Sequence, residues 1–202
     1  MIEATETKYI INGKEYDRIT SVLDCFMDKG LIDWLRNAGP AAIRKASENG
    51  LKVGTEVHNY IEADITRCRY KPILDIKLQE RYDNCIMAWN QFRLDKQPAF
   101  HGCEDLLIND ELGVAGTRDQ LIDVDMLTTV TNDIKTSKSI RLSYWIQVAM
   151  YHWMAGFKDG WLSITRLDKY SGQYEFVKKP FDMEYVEVFK CMLKVYRYFN
   201  NN

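Results

Sequence analysis

Polar and apolar positions change their spacing several times along the chain, and each change marks a new kind of element. The opening "KYIINGKEYDRI" centres on Asn12-Gly13, a pair that tolerates the left-handed backbone of a tight turn, and predicts a short hairpin. Helical spacing follows. "TSVLDCFM" begins with a Thr or Ser able to cap it, "LIDWLRNAGP" stops at Gly39-Pro40, and "PAAIRKASENG" opens with Pro in its first turn and ends on Gly50. In "GTEVHNYIEADITRC" the residues Val57, Ile61 and Ile65 fall on one stripe. Leu78, Tyr82, Ile86, Trp89 and Phe92 recur in the same way and predict a longer helix over 75–95.

From Phe100 the period changes. "FHGCEDLLI", "VAGTRDQLIDV" and "LTTVTNDIKT" predict three strands, joined at Asn109-Asp110 and across 123–126. "SIRLSYWIQVAMYHWMAGF" is apolar nearly all round, the mark of a buried helix. "GWLSITRLDKYSGQYEFVKK" predicts a second hairpin turning at Ser171-Gly172, and a last helix covers about 183–199. This order predicts a single α/β or α+β domain, with residues 1–50 a hairpin-and-helix appendage on a core over 51–202.

Composition narrows the function classes. The chain has 202 residues, 46% hydrophobic and 28% charged, with a formal net charge of −2. A polyanionic partner would therefore be held by a local patch and not by a global basic field. No window approaches the roughly 18 apolar residues of a membrane span, and the acidic, polar "MIEATETKYI" has no apolar leader core, so no membrane role is expected and the cytosol is the default location. The five cysteines, Cys25, Cys68, Cys85, Cys103 and Cys191, are scattered without metal-ribbon spacing and suit reduced thiols in a reducing compartment.

Four features carry candidate chemistry. Asp133 and Lys135 stand two apart in a strand and so project to one side. Such a pair is a common surface salt bridge, but it is also what a metal-dependent phosphodiesterase needs: a carboxylate for a hard cation and an ammonium to orient water and offset phosphate charge. Asp119, in "GTRD", would lie across from Asp133 if the two strands are neighbours in register, and two such carboxylates repel unless a cation sits between them. The plainer reading makes Asp119 a strand-end acid and Gly116 a point of close backbone approach. Gln147 and Tyr151, four apart on the buried helix, share a face, and a buried amide needs partners, structural or catalytic. His58, with Glu62 one turn on, is a candidate ligand on its helix or a packed side chain; His101 and His152 read as packing residues.

Taken in order, Gly54-x-x-x-His58, Glu104, Gly116-x-x-Asp119, Asp133-x-Lys135 and Gln147-x-x-x-Tyr151 resemble the PD-(D/E)xK nuclease superfamily, and within it the RecB-like exonuclease branch. The early "ITSVLDCF…LIDWLRNAG…GTEVHNYIE" is also similar to the upstream helices of phage-type exonucleases and of the mitochondrial genome maintenance exonuclease. The resemblance covers about residues 19–155. It implies a restriction-endonuclease-like core, a central mixed sheet flanked by helices, and hydrolysis of DNA phosphodiesters with one or two Mg²⁺ or Mn²⁺ ions. His58, Asp119, Asp133 and the Ile134 carbonyl would surround the metal, Glu104 would serve near a second one, Lys135 would activate the water, and Gln147 and Tyr151 would support the site.

DNA contacts are expected at Lys138, Arg141, Arg44 and Lys45. Relatives with an iron–sulfur cluster carry three grouped late cysteines, whereas only Cys191 lies late here, so no cluster is expected. The implied function is a DNA exonuclease acting on single strands or ends in replication, recombination or repair. It would work in a bacterial or phage-infected host cytoplasm, with any unwinding supplied by a helicase or recombination partner. The alternatives are a structure-specific endonuclease on the same core and an inactive module binding DNA ends or protein.

Overall fold

A computed structural model describes residues 2–26, 40–125 and 128–200, with the side chains of 40–46 left outside the description. Eight strands form one sheet: β1 Ile2–Ala4, β2 Lys8–Ile11, β3 Lys14–Arg18, β4 Ala99–Asn109, β5 Val114–Val124, β6 Thr128–Lys135, β7 Trp161–Leu167 and β8 Tyr174–Pro180. Five helices accompany them among the described residues: α1 Ile19–Asp24, α2 Pro40–Ile65, α3 Ile76–Lys96, α4 Leu142–Met154 and α5 Met183–Asn200. The helix expected over 31–39 and the residues Met126 and Leu127 lie outside the described residues.

The sheet is mixed. Neighbours run β1-β2-β3-β5-β6-β7-β8, with β4 alongside β5. β3 pairs β5 in parallel and β6 pairs β7 in parallel; the remaining pairs are antiparallel. The first hairpin turns at Asn12 and Gly13, both at positive φ (+51° and +81°), as the Asn-Gly pair predicts. It does not stand apart from the core, because Asp17 and Arg18 pair with Val114 and Ala115.

Helices cover both faces. On one, Val53, Val57 and Ile61 of α2 and Trp89 and Phe92 of α3 pack on Ile122, Val130, Ile134 and Leu167. On the other, α4 lays Trp145, Val148 and Ala149 on Leu162 and Ile164, while α1 and α5 close around Met150 and Tyr151. The chain is thus a mixed α/β fold with a central sheet between helical layers.

The expected helix end at Gly50 is wrong. α2 runs unbroken from Pro40 to Ile65, through both Gly50 and Gly54. Each glycine costs about 1 kcal/mol relative to alanine in a helix, but burying Val53, Val57 and Ile61, all 0–2% exposed, returns roughly 1.5–3 kcal/mol per side chain. Packing overrides local propensity.

Candidate active site

β5 and β6 form a short ladder that ends at Gln120↔Asn132. The same register carried one step further sets Asp119 opposite Asp133, where the strands are no longer paired. There the backbone N–H of Ile134 donates to Asp119 Oδ2 at 2.7 Å, so a side-chain carboxylate takes the amide that a ladder partner would otherwise bond. The two acids anticipated as neighbours are neighbours, at the point where the sheet opens.

On its other edge β5 pairs β4, and the pairs Cys103↔Gln120 and Asp105↔Arg118 bracket Glu104 and Asp119 without joining them. Glu104 has φ +53°. A non-glycine residue held in that region costs about 1–3 kcal/mol and persists only where its surroundings impose it. The alternation of β5 also breaks here. Gly116 faces α4, since a Cβ built on it would lie 2.6 Å from Tyr151 Cε1. Gln120 faces the other way, towards Asn132, Ser163 and Thr165. Residues four apart in a regular strand share a face, so β5 turns over between them while its register with β4 is the same on either side. The irregular stretch of both strands is the stretch that bears Glu104 and Asp119.

α2 supplies the third wall. His58 lies next to the buried Val57, and its Nδ1 sits 3.6 Å from Glu104 Oε1 and 3.7 Å from Asp119 Oδ2. One ligand atom from each of His58, Glu104 and Asp119 falls within 4.8 Å of the others, a spacing that could hold a metal ion. Asp133 is not in that trio. It adjoins it, fully buried, with Lys135 Nζ 2.8 Å from its Oδ2. The ammonium thus serves Oδ2, while Asp133 Oδ1 has no hydrogen-bond donor among the described residues.

These groups govern one another's protonation. Burial alone would lower the His58 imidazole, but Asp119 and Glu104 outweigh it and raise its pKa to about 9. Burial raises Asp119 despite His58 and Lys135. It also raises Asp133, where Lys135 opposes the rise and Asp119 adds to it, giving a value of about 6. For Lys135 burial is again the largest influence and acts downward, yet Asp133 and Asp119 reverse it and keep the ammonium charged. Carboxylates crowded in this way attract a cation.

Tyr151 and Gln147 lie behind the site. Gln147 Nε2 donates to Tyr151 Oη at 3.3 Å, and both side chains are buried. Tyr151 presses on Gly116, where an added Cβ would also stand 3.0 Å from its hydroxyl; glycine is required by space at that position. At Gly54 it is not, because a Cβ there would meet Thr136 Oγ1 at an ordinary 3.5 Å. Burial and the two aspartates raise the Tyr151 phenol well above its usual range, which keeps it a neutral hydroxyl.

Lys138 is exposed in the loop after β6, and Arg141 precedes α4. Arg44 and Lys45 belong to α2, but their side chains lie outside the described residues. His152 is a packing residue as expected, bonded to Thr131 Oγ1 and to the Asp159 carbonyl, each at 2.8 Å. Two features had no place in the sequence reading. Arg118 is buried against Asp105 at 2.7 Å, and a fully buried polar quartet, Gln120, Asn132, Ser163 and Thr165, begins one residue along the strands from the acids. The only signal for the quartet was polar residues in strands otherwise apolar enough to be buried.

No protein-family model and no curated protein matches the sequence. Among solved structures, the chain is similar to the alkaline exonuclease LHK-Exo from Laribacter hongkongensis at 12% identity, with a TM-score of 0.48 over 89% of this chain and 84% of that one. It is similar to LHK-Exo in complex with dAMP at 15% identity and a TM-score of 0.45, over 68% and 75%.

Proposed function

We propose that this chain is a divalent-metal-dependent DNA exonuclease of the PD-(D/E)xK type, acting on single strands or strand ends. The observation that carries the reading is the meeting of His58, Glu104 and Asp119 within 4.8 Å beside an Asp133–Lys135 pair whose aspartate is fully buried. The residues fit a metal. Asp133 presents a buried Oδ1 without a donor among the described residues, and a set of carboxylates with one imidazole suits Mg²⁺ or, better with the nitrogen ligand, Mn²⁺.

His58, Glu104, Asp119 and Asp133 would hold the ion, with the Ile134 carbonyl as a further oxygen donor. When bound, it supplies positive charge that polarises a phosphate and favours deprotonation of water. Lys135 orients the attacking water and offsets charge growing on the phosphate. Asp133, 2.8 Å away, holds that ammonium in place. Tyr151 and Gln147 brace the wall behind the acids. Lys138 and Arg141, with Arg44 and Lys45, would meet the DNA backbone.

The test is a time course on 5′- and 3′-labelled linear oligonucleotides and on circular single-stranded DNA, with Mn²⁺ or with EDTA. Metal-dependent loss of the linear strands with the circle spared is expected. Cleavage of the circle would redirect the reading to an endonuclease, and no metal-dependent cleavage of any substrate would overturn it.

A further inference from the structure

One residue along β5 and β6 from the acids, three strands are tied together by side chains. Asn132 Nδ2 donates to Gln120 Oε1 at 2.8 Å. Asn132 Oδ1 accepts from Ser163 Oγ at 2.8 Å and from Thr165 Oγ1 at 2.9 Å. All four residues are 0% exposed, on the sheet face that carries Ile122, Val130, Ile134 and Leu167. Apolar side chains would serve a merely filled core at least as well, because buried polar groups add stability only when every donor and acceptor is matched. Here the match is incomplete, since Gln120 Nε2 has no partner among the described residues. The quartet is therefore a costly way to pack this face.

Its position suggests why it is there. Gln120 and Asn132 form the last pair of the β5–β6 ladder, and the next residue on each strand is Asp119 or Asp133. Beyond this pair no β5–β6 ladder restrains two acids that repel one another. We infer that Gln120 and Asn132, braced by Ser163 and Thr165, are positioning residues that clamp the parting strands and hold Asp119 and Asp133 at metal-binding separation. The role rests on the metal-centre reading above. Groups of this kind around a metal site are worth about 10–100-fold in metal affinity.

The experiment is calorimetric titration of Mn²⁺ into the full chain, at a temperature where circular dichroism shows each variant native. Asn132→Leu should weaken Mn²⁺ binding by about tenfold or more. Phe189→Leu, a core truncation on the α5 side, should lower the melting temperature and leave Mn²⁺ affinity unchanged, so that lost stability and lost positioning are separable. If Asn132→Leu does not fold, the paired Ser163→Ala/Thr165→Val change decides, with a smaller loss in the same direction expected. A folded quartet variant that binds Mn²⁺ as tightly as wild type overturns the positioning role alone. Failure of the wild-type chain to bind Mn²⁺ overturns the metal centre itself.

Discussion

Two polar clusters lie one residue apart on β5 and β6, and they are built on opposite terms. Gln120, Asn132, Ser163 and Thr165 are neutral, and all but one of their side-chain amide groups is bonded. Asp119, Asp133 and Lys135, with Glu104 and His58, are charged and crowded, and Asp133 Oδ1 has no donor among the described residues. The first arrangement suits a structural joint, where partners are supplied from within. The second makes sense if a partner arrives from outside, because buried anions without donors are otherwise among the most expensive groups a fold can hold.

The largest effect should come from emptying the charged cluster. Asp133→Ala and Lys135→Ala should each cut Mn²⁺-dependent degradation of a labelled oligonucleotide by at least about 100-fold, the scale of removing one preorganised charge from an active site, with the native circular dichroism retained. Activity within a few-fold of wild type in either variant would remove the basis for treating the pair as more than a salt bridge.

Stability should then separate the clusters in the reverse sense. Asn132→Leu strands the hydroxyl donors of Ser163 and Thr165 and should cost about 1–3 kcal/mol per unsatisfied group in urea denaturation. Asp119→Asn, measured with EDTA present, removes one of several mutually repelling acids yet still offers an oxygen to the Ile134 amide. It should leave the midpoint at or above that of wild type, as expected where a functional site is held against its own repulsion. If Asp119→Asn proved as damaging as Asn132→Leu, the contrast between the clusters would be lost.

Legibility from the sequence divides along the same line. The placement of the candidate residues was visible because strand and helix periods predict shared faces: Asp133 with Lys135, Gln147 with Tyr151, and Asp119 across from Asp133. The sheet order was less accessible. Nothing local in "KEYDRI" announces parallel pairing with Val114 and Ala115, and the three-residue β1 is too short to register a pattern. Glu104, expected near a second metal, lies in the tight group with His58 and Asp119, a placement that depends on its left-handed backbone. That conformation has no marker in a glutamate, just as the turnover of β5 has none in "GTRDQ". The helix end at Gly50 failed because propensity was read without the buried stripe that overrides it.

Gly116 tests the joint between strand and helix. Alanine there would place its Cβ 2.6 Å from Tyr151 Cε1 and 3.2 Å from Ile19 Cδ1, so one of these must move. Overpacking of this kind costs about 1–3 kcal/mol. Gly116→Ala should lower the melting temperature and reduce activity together, and Gly116→Ala/Tyr151→Phe should recover little of either, since the ring remains. Gly54→Ala, inside α2 with room for a Cβ, should instead raise stability by about 1 kcal/mol. Equal losses at the two glycines would contradict the close approach of Tyr151.

The smallest effect concerns a third buried polar group, His152, which resembles the neutral quartet and not the acids. Its Nε2 lies 2.8 Å from the Asp159 carbonyl, which can only accept, so Nε2 carries the proton and Nδ1 accepts from the Thr131 hydroxyl. Phe157 and Phe181 flank the ring at 4.7 and 5.0 Å between centroids. Burial, the largest influence, lowers the imidazole pKa below 6.5 in spite of the Asp159 carbonyl. The unfolded chain then binds the proton more readily than the folded one. His152 therefore leaves stability untouched above about pH 6.5 and erodes it as the pH falls from there towards its folded pKa. Urea midpoints at pH 8, 7, 6 and 5.5 should fall more steeply over the acid steps in wild type than in His152→Phe, which keeps the ring contacts and cannot titrate. His58, raised to about 9, acts with the opposite sign, losing stability as the pH rises through that value, but it does so in both chains and cancels in the difference. Parallel pH slopes would mean that His152 takes up its proton in place, with Thr131 turning to accept it, and that this group tolerates charge as the quartet should not.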